Sequence, residues 1–307
     1  MAKISAIIAC YNDEAAIPVM AERLKTVFHK IGCDYEIIFV NDGSPDNSQA
    51  VLEELAAAEK RIKVITHSRN FSSQNAFTSG LKRTSGDACV LLDGDLQDPP
   101  ELIEDFYQKW TEGYDVVYGI RVKREMPRLH EIGYKLFYRL FQKMSYIKVP
   151  LDSGDFSLLD RKVVHALNQL PERDRFIRGL RAWVGFKQTG VSYVRPKRPF
   201  GESTNNMLSN IRWAKKAIFS FSYQPLEFIS VIAGVTSIVT ALAIFYQIIM
   251  KILFPETPHG ISTIITLSLF LGSIQLLCLS FIAEYIGKIF EETKQRPHMV
   301  VAKEINF

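Results

Sequence analysis

Four oxygen-bearing side chains, Asp93, Asp95, Gln97 and Asp98, follow an aliphatic run in "VLLDGDLQDPPE", and two prolines then turn the chain away. Like charges this close repel, so such a cluster needs a cation or an ordered hydrogen-bond network to hold it. Asp95 and Gln97, with Asp93 nearby, are hard oxygen ligands of the kind Mg2+ or Mn2+ takes when it links carboxylates to substrate phosphates. Such an ion would neutralise charge on a diphosphate leaving group. The plainer alternative is a polar turn that caps a helix, and a D-x-D pattern alone does not decide between them.

A second acidic position, Asp42 in "VNDGSPDNS", is suited to accept hydrogen bonds from a base or ribose, and Tyr11 in "CYNDEAAIP" could pack against the base. An ordinary turn aspartate is the competing reading of Asp42. Neither the glycine-rich turn of dinucleotide folds nor the Walker pattern is present, so a nucleotide here would be held by side chains and a metal.

The elements that must position these groups are legible upstream and downstream of them. From Lys3 to about residue 119, "ISAIIA", "YEIIFV", "KVITH", "ACVLLD" and "DVVYG" read as strands, and helical patterns such as 14–31 and 46–59 alternate with them. That order predicts an α/β fold with a mostly parallel, doubly wound sheet. Ligands of such sheets bind at the carboxyl ends of the strands, where "CYND", "NDG" and "DGDLQD" all fall.

Past residue 120 the character changes. Residues 121–148 carry eight Lys or Arg against two Glu, and the spacing predicts a basic amphipathic helix from about Pro127. A second such helix is predicted over 205–221. Helices of this kind cap a core or lie on an anionic membrane surface. The C-terminal third favours the surface, because 228–250 and 260–283 contain no charged residue and each exceeds the ~20 residues that span a bilayer. Arg212, Lys215 and Lys216 precede the pair and Lys288, Lys294 and Arg296 follow it, whereas only Lys251 lies between. The positive-inside rule then places the N-terminal domain and both termini in the cytosol. The organisation expected is a domain over 1–204, an amphipathic membrane-surface helix over 205–225, two transmembrane helices within 226–287 and a cytosolic tail over 288–307.

Composition is consistent with this. A net charge of +4 over 307 residues is too small to imply nucleic-acid binding, and no recognition motif for it is present. Cys10, Cys33, Cys89 and Cys278 are scattered in apolar surroundings without metal-ligand spacing, as expected of free thiols in a reducing compartment. "MAKISAIIAC" is a strand-length apolar run rather than a signal peptide.

"IIACYNDE", "VNDGSPDNS", "RNFSSQNAFTSGL", "VLLDGDLQDPPE", "SGDFSLLDRKVV" and "RPFGES", in this order and followed by a membrane hairpin, resemble the polyisoprenyl-phosphate glycosyltransferases of glycosyltransferase family 2. These have the GT-A fold and include bactoprenol glucosyltransferases and dolichol-phosphate mannose synthases; the bacterial glucosyl branch fits best. The resemblance implies a uridine- or guanosine-diphosphate sugar donor, Mg2+ or Mn2+, and inverting transfer to a polyprenyl phosphate such as undecaprenyl phosphate. Glucose from UDP-glucose is the expected donor sugar, and the bacterial inner membrane the expected location.

Carried over by position, the resemblance implies that Ala9, Tyr11, Asp13 and Asp42 line the nucleoside pocket with Asp93 at its edge, and that Asp95 and Gln97 hold the metal. Relatives commonly have proline at Ala9, glutamate at Asp13 and lysine at Thr204, so diphosphate contact is expected to pass to Arg198 or Lys197. Asp155 in "DSGDF" would orient the sugar or acceptor or act as a weak base. Arg121, Lys123, Arg128 and Lys135 would meet the acceptor phosphate at the membrane surface, and Arg175, Arg178 and Arg181 in "RDRFIRGLRAW" are further candidates. A homo-oligomer is left open. The rival readings are a processive polysaccharide synthase, for which "NIRW" is only a lookalike motif, and an inactive membrane-tethered nucleotide-sugar-binding subunit.

Overall fold

The computed structural model describes residues 1–122, 150, 153–196, 198–200, 221–222, 224–254 and 260–307. The first predicted basic amphipathic helix and residues 205–220 of the second, with Lys123, Arg128, Lys135, Lys197 and Thr204, lie outside the described residues; Phe221, the last residue of the second, is buried in the core.

The five expected strands are present as β1 (Lys3–Cys10), β2 (Asp34–Asn41), β3 (Ile62–His67), β4 (Ala88–Asp93) and β5 (Val116–Arg121). Between them run α1 (Ala16–Ile31), α2 (Ser48–Ala58), α3 (Ser73–Leu81) and α4 (Ile103–Thr111). β6 (Ser153–Asp160), α5 (Arg161–Gln169), α6 (Ile177–Trp183) and β7 (Gln188–Tyr193) follow. Two long helices, α7 (Gln224–Leu253) and α8 (Ile261–Thr293), precede a last strand, β8 (Val301–Ile305).

These strands form one eight-stranded sheet in the order β7-β5-β6-β4-β1-β2-β3-β8. β1 to β4 are mutually parallel where they pair, as are β5 and β7, whereas β6 runs antiparallel to β4 and β5, and β8 antiparallel to β3. The period of two along β1 explains why its sequence is apolar without alternation. Ile4, Ala6 and Ile8 enter the core on one face with Met20, Leu24 and Phe28 of α1, while Ile7 and Ala9 enter the core on the other with Phe77 of α3. Full burial of both faces fixes the register, because a one-residue slip would mismatch every one of these contacts.

Among the described helices, α7 and α8 stand apart in their length and in the apolar composition of their central turns. Gln224–Met250 and Leu267–Thr293 are long and apolar enough to cross a membrane, and neither is buried within the protein. Two of their hydroxyls are satisfied within the helix, Ser237 Oγ donating to Ala233 O and Ser273 Oγ to Leu269 O, both at 2.8 Å, as a helix in hydrocarbon would require. At its far end α8 is bonded to the globular domain. Arg173 N donates to Glu292 Oε1 at 2.8 Å, Lys288 pairs with Asp174, and Tyr285 Oη donates to Ser222 O at 2.9 Å. The chain then returns to the sheet: β8 lies against β3, Lys303 pairs with Glu53 and Glu304 with Arg83. Residues expected as a tail therefore cover the edge of β3, which would otherwise present unpaired backbone groups.

Candidate active site

The loops that leave the carboxyl ends of β1 to β4 share one property: each holds a residue at positive φ. These are Asn12 at 58°, Gly43 at 68°, Ser72 at 79° and Leu96 at 58°. Three of the four carry side chains, for which that conformation is costly and is usually kept only where function needs the loop shape. Gly43 is constrained twice, since a Cβ there would lie 2.5 Å from the backbone carbon of Arg69. Gly94 is constrained by approach alone: its Cβ would lie 2.9 Å from Asp13 Oδ2 and 3.0 Å from Ala9 O. The "DGD" turn is thus pressed against the loop after β1.

This packing brings the sequence candidates together in two groups. In the first, Asp13 is buried; its Oδ2 accepts from Tyr11 N at 3.0 Å and its Oδ1 from Arg198 at 2.8 Å. Burial raises the Asp13 carboxyl above the usual range against the pull of Tyr11 N and Arg198. Ala9 is buried at the end of β1, and its carbonyl accepts from Gly94 N at 2.9 Å. Asp42, at the end of β2, is buried and accepts at Oδ1 from Phe71 N and meets His67 Nδ1, both at 2.8 Å.

The second group is the acidic cluster itself. Asp93 is pushed up to about 8, first by burial and then by the carboxylates of Asp98, Asp95 and Asp155. Asp95 accepts from Gln97 N at 3.1 Å, and Arg195 lies 3.7 Å from both Asp95 and Asp98. Gln97 Nε2 donates to Pro196 O at 3.3 Å, so its Oε1 is the atom a cation would use. Asp98 is fully buried, accepts from Tyr193 Oη at 2.5 Å and lies 3.6 Å from Arg121, while its Oδ2 has no partner among the described residues.

A divalent cation fits this arrangement. The donors are hard oxygens, crowding raises a carboxyl where a cation would lower it, and a buried carboxylate oxygen is left without a partner. Among the described residues no three His, Cys, Asp or Glu side chains form a complete cage. The remaining ligands would come from water and substrate phosphates, as is usual for Mg2+.

Beside the acidic cluster stands a group of arginines around Asp155. Asp155 is buried in β6, accepts from Arg178 Nε and Nη2 at 3.1 and 3.2 Å, and accepts from Gln74 Nε2 at 3.1 Å. Burial would raise this carboxyl, but Arg178, Arg181 and Arg121 outweigh it and hold it below the usual range. Arg121 donates to Tyr193 Oη at 3.1 Å. Arg181 is wholly buried beside the Tyr118 ring, and burial lowers it to about 10. Arg175 is directed elsewhere, onto the carbonyls of Leu167 and Leu170.

Several of these residues had no role assigned from sequence. Gln74 sits inside the quoted "RNFSSQNAF", and its Oε1 accepts from Ile177 N at 2.7 Å, tying α3 to the helix that carries Arg178. His67 was visible only as a strand residue of "KVITH", and Tyr193 and Arg195 were given no reading.

The family-2 glycosyl transferase profile matches residues 5–167, which run from within β1 through β6 and contain the acidic cluster. The chain belongs to glycosyl transferase family 2. Its mostly parallel sheet is of the GT-A type. This glycosyltransferase is 41% identical over 300 residues to the uncharacterized glycosyltransferase YkcC of Bacillus subtilis (strain 168), covering 97% of this chain and 93% of that protein. It is 35% identical to a bactoprenol glucosyl transferase of Shigella phage SfX, covering 97% of this chain and 98% of that protein. A solved glucosyl-3-phosphoglycerate synthase from Mycobacterium tuberculosis is similar at 22% identity with a TM-score of 0.47, over 71% of this chain and 79% of that one.

Proposed function

We propose that this glycosyltransferase moves a hexose, glucose from UDP-glucose in the first instance, onto a polyprenyl phosphate at the membrane, with inversion and with Mg2+ or Mn2+. The observation that carries the reading is similarity to bactoprenol glucosyl transferases along nearly the whole chain, the two membrane-length helices included. The proposed orientation puts the sheet domain and both termini on the cytosolic side of the plasma membrane. Charge asymmetry around the helices supports it.

In this reading Ala9, Tyr11 and Asp42 hold the nucleoside, and Asp95 and Gln97 hold the cation. When bound, that cation supplies charge neutralisation for the leaving diphosphate. Arg195 and Arg198, which lie on Asp95, Asp98 and Asp13, would turn onto the diphosphate once those carboxylates have another counter-charge. The acceptor's phosphate oxygen forms a bond to the anomeric carbon as the bond to the donor diphosphate breaks, and the nucleoside diphosphate leaves. A phosphate is already ionised near neutrality, so no strong base is needed, and positioning and electrostatics dominate.

The depressed titration of Asp155 supports an orienting role over a proton-accepting one. Arg121, Lys123, Arg128 and Lys135 remain the proposed acceptor-phosphate contacts, with Arg178 the more exposed arginine beside Asp155. The test is incubation of purified protein with a panel of radiolabelled nucleotide sugars and undecaprenyl phosphate, followed by lipid extraction. Label in the lipid phase from one donor supports the reading; label remaining in the aqueous phase with every donor refutes it.

A further inference from the structure

We infer that His67 is a positioning residue for the donor site, holding the Asp42 carboxylate in the orientation in which it takes up the nucleoside. The inference rests on the reading of Asp42 as a nucleoside contact. The two side chains meet at the ends of neighbouring strands, Asp42 just beyond β2 and His67 as the last residue of β3. His67 Nδ1 lies 2.8 Å from Asp42 Oδ1, and both residues are only 2% exposed. Phe71 N donates to the same oxygen at 2.8 Å.

Oδ1 is therefore committed to the protein, and Oδ2 has no donor among the described residues. A carboxylate fixed through one oxygen presents the other in a single direction, which is what recognition of one N–H or hydroxyl group requires. With its proton on Nδ1 the imidazole is the donor to Asp42. Its Nε2 is buried with no hydrogen-bond partner among the described residues, so the ring's one polar contact is the one to Asp42.

The surroundings are built to keep this geometry. The His67 ring meets Phe71 edge-on with centroids 5.8 Å apart, and the Arg69 guanidinium lies 4.1 Å from the centre of the Phe71 ring. Gly43 allows the loop after Asp42 to touch the backbone at Arg69 and Asn70. A buried histidine without Asp42 beside it could be replaced by an apolar ring at little cost; here that replacement removes a charge-assisted hydrogen bond.

The experiment uses full-length protein in detergent and calorimetric titration with uridine and guanosine diphosphates in Mn2+, continued with whichever the unaltered protein binds. His67→Phe keeps the ring and removes the donor, and should weaken nucleotide binding about tenfold. In steady-state transfer it should raise the donor KM similarly, leaving kcat and the acceptor KM near their original values. His67→Asn returns a nitrogen near the place of Nδ1 and should restore most of the affinity, whereas His67→Gln, with its nitrogen one bond further out, should not. This pair carries the test if the phenylalanine variant fails to fold.

Unchanged nucleotide binding in His67→Phe, together with weakened binding in Asp42→Ala, overturns the role of His67 and leaves the donor site standing. Equal losses in the asparagine and glutamine variants overturn it too. Unchanged binding in Asp42→Ala, or no binding of either nucleotide by the unaltered protein, overturns the donor-site reading and this inference with it.

Discussion

Replacing Arg178 by methionine should destabilise the domain in a pH-dependent way that reports on Asp155. Arg178 makes two charge-assisted hydrogen bonds to a carboxylate whose side chain is 7% exposed, while its own is 24% exposed. Breaking a buried pair by removing one partner costs about 3–5 kcal/mol; partial exposure of the arginine brings the expected loss to about 2–3 kcal/mol. For a domain of this size that corresponds to a fall in melting temperature of roughly 4–12 °C at pH 7.

The sign of the pH dependence follows from the carboxyl. In the unaltered protein it titrates below its unfolded value, so its contribution is present above the unfolded pKa and is lost as pH falls through the folded one. In Arg178→Met, burial is opposed by fewer cations, the folded carboxyl moves upward, and stability is lost at neutral pH but recovered on acidification. The gap in melting temperature between the two proteins should therefore narrow from pH 7 towards pH 4.5, in micelles of fixed composition. Asp155→Asn combined with Arg178→Met should cost less than the sum of the single changes. A gap that is absent at pH 7, or constant with pH, would falsify the account of Asp155 as a carboxylate held ionised by Arg178.

Three further outcomes are expected. Gly43→Ala should lower stability by about 1–3 kcal/mol and weaken donor binding, measured by melting and nucleotide titration, because alanine is strained at its φ of 68° and its Cβ meets the Arg69 backbone. Deleting residues 300–307 should uncover the edge of β3 and increase self-association, seen as higher-mass species in size-exclusion chromatography; an unchanged elution profile would count against the covering role of β8. In a variant lacking the four native cysteines, a cysteine at position 259 should be labelled from outside the cell and one at 303 only after permeabilisation; the reverse pattern would overturn the proposed orientation.

What could be read from sequence follows from how local each signal is. β1 to β5 were legible because each is a run of apolar residues between turn signals, and the parallel sheet followed from their alternation with helices. β6, β7 and β8 were not. "SGDFSLLD" carries Asp155 and two serines on a strand, "QTGVSY" is a half-buried edge, and "VAKEI" is a short charged edge strand that gains its partner only when the chain returns from α8.

The same division holds at the site. Asp42, Asp93, Asp95 and Gln97 stand out by residue type beside strand ends. The partners of the neighbouring carboxylates cannot be read from spacing, because Asp155 is met by Gln74 from 81 residues away and by Arg178 from 23, and Asp13 by Arg198 from 185. His67 was hidden for another reason: inside "KVITH" a histidine reads as one more strand residue until Asp42 is seen beside it.

The central claim is that one hexose passes from a nucleotide donor to one polyprenyl phosphate at a cation site built on Asp95. The most direct measurement follows nucleoside diphosphate release and lipid-linked hexose together, in nanodiscs containing undecaprenyl phosphate, with Mn2+ or with excess chelator, for the unaltered protein and Asp95→Ala. The account predicts equal amounts of the two products, one sugar per lipid, no release without the lipid, and loss of both products with chelator or in Asp95→Ala while the melting temperature is retained. Sugar chains longer than one unit, sugar released to water without lipid, or full transfer by Asp95→Ala in chelator would contradict it.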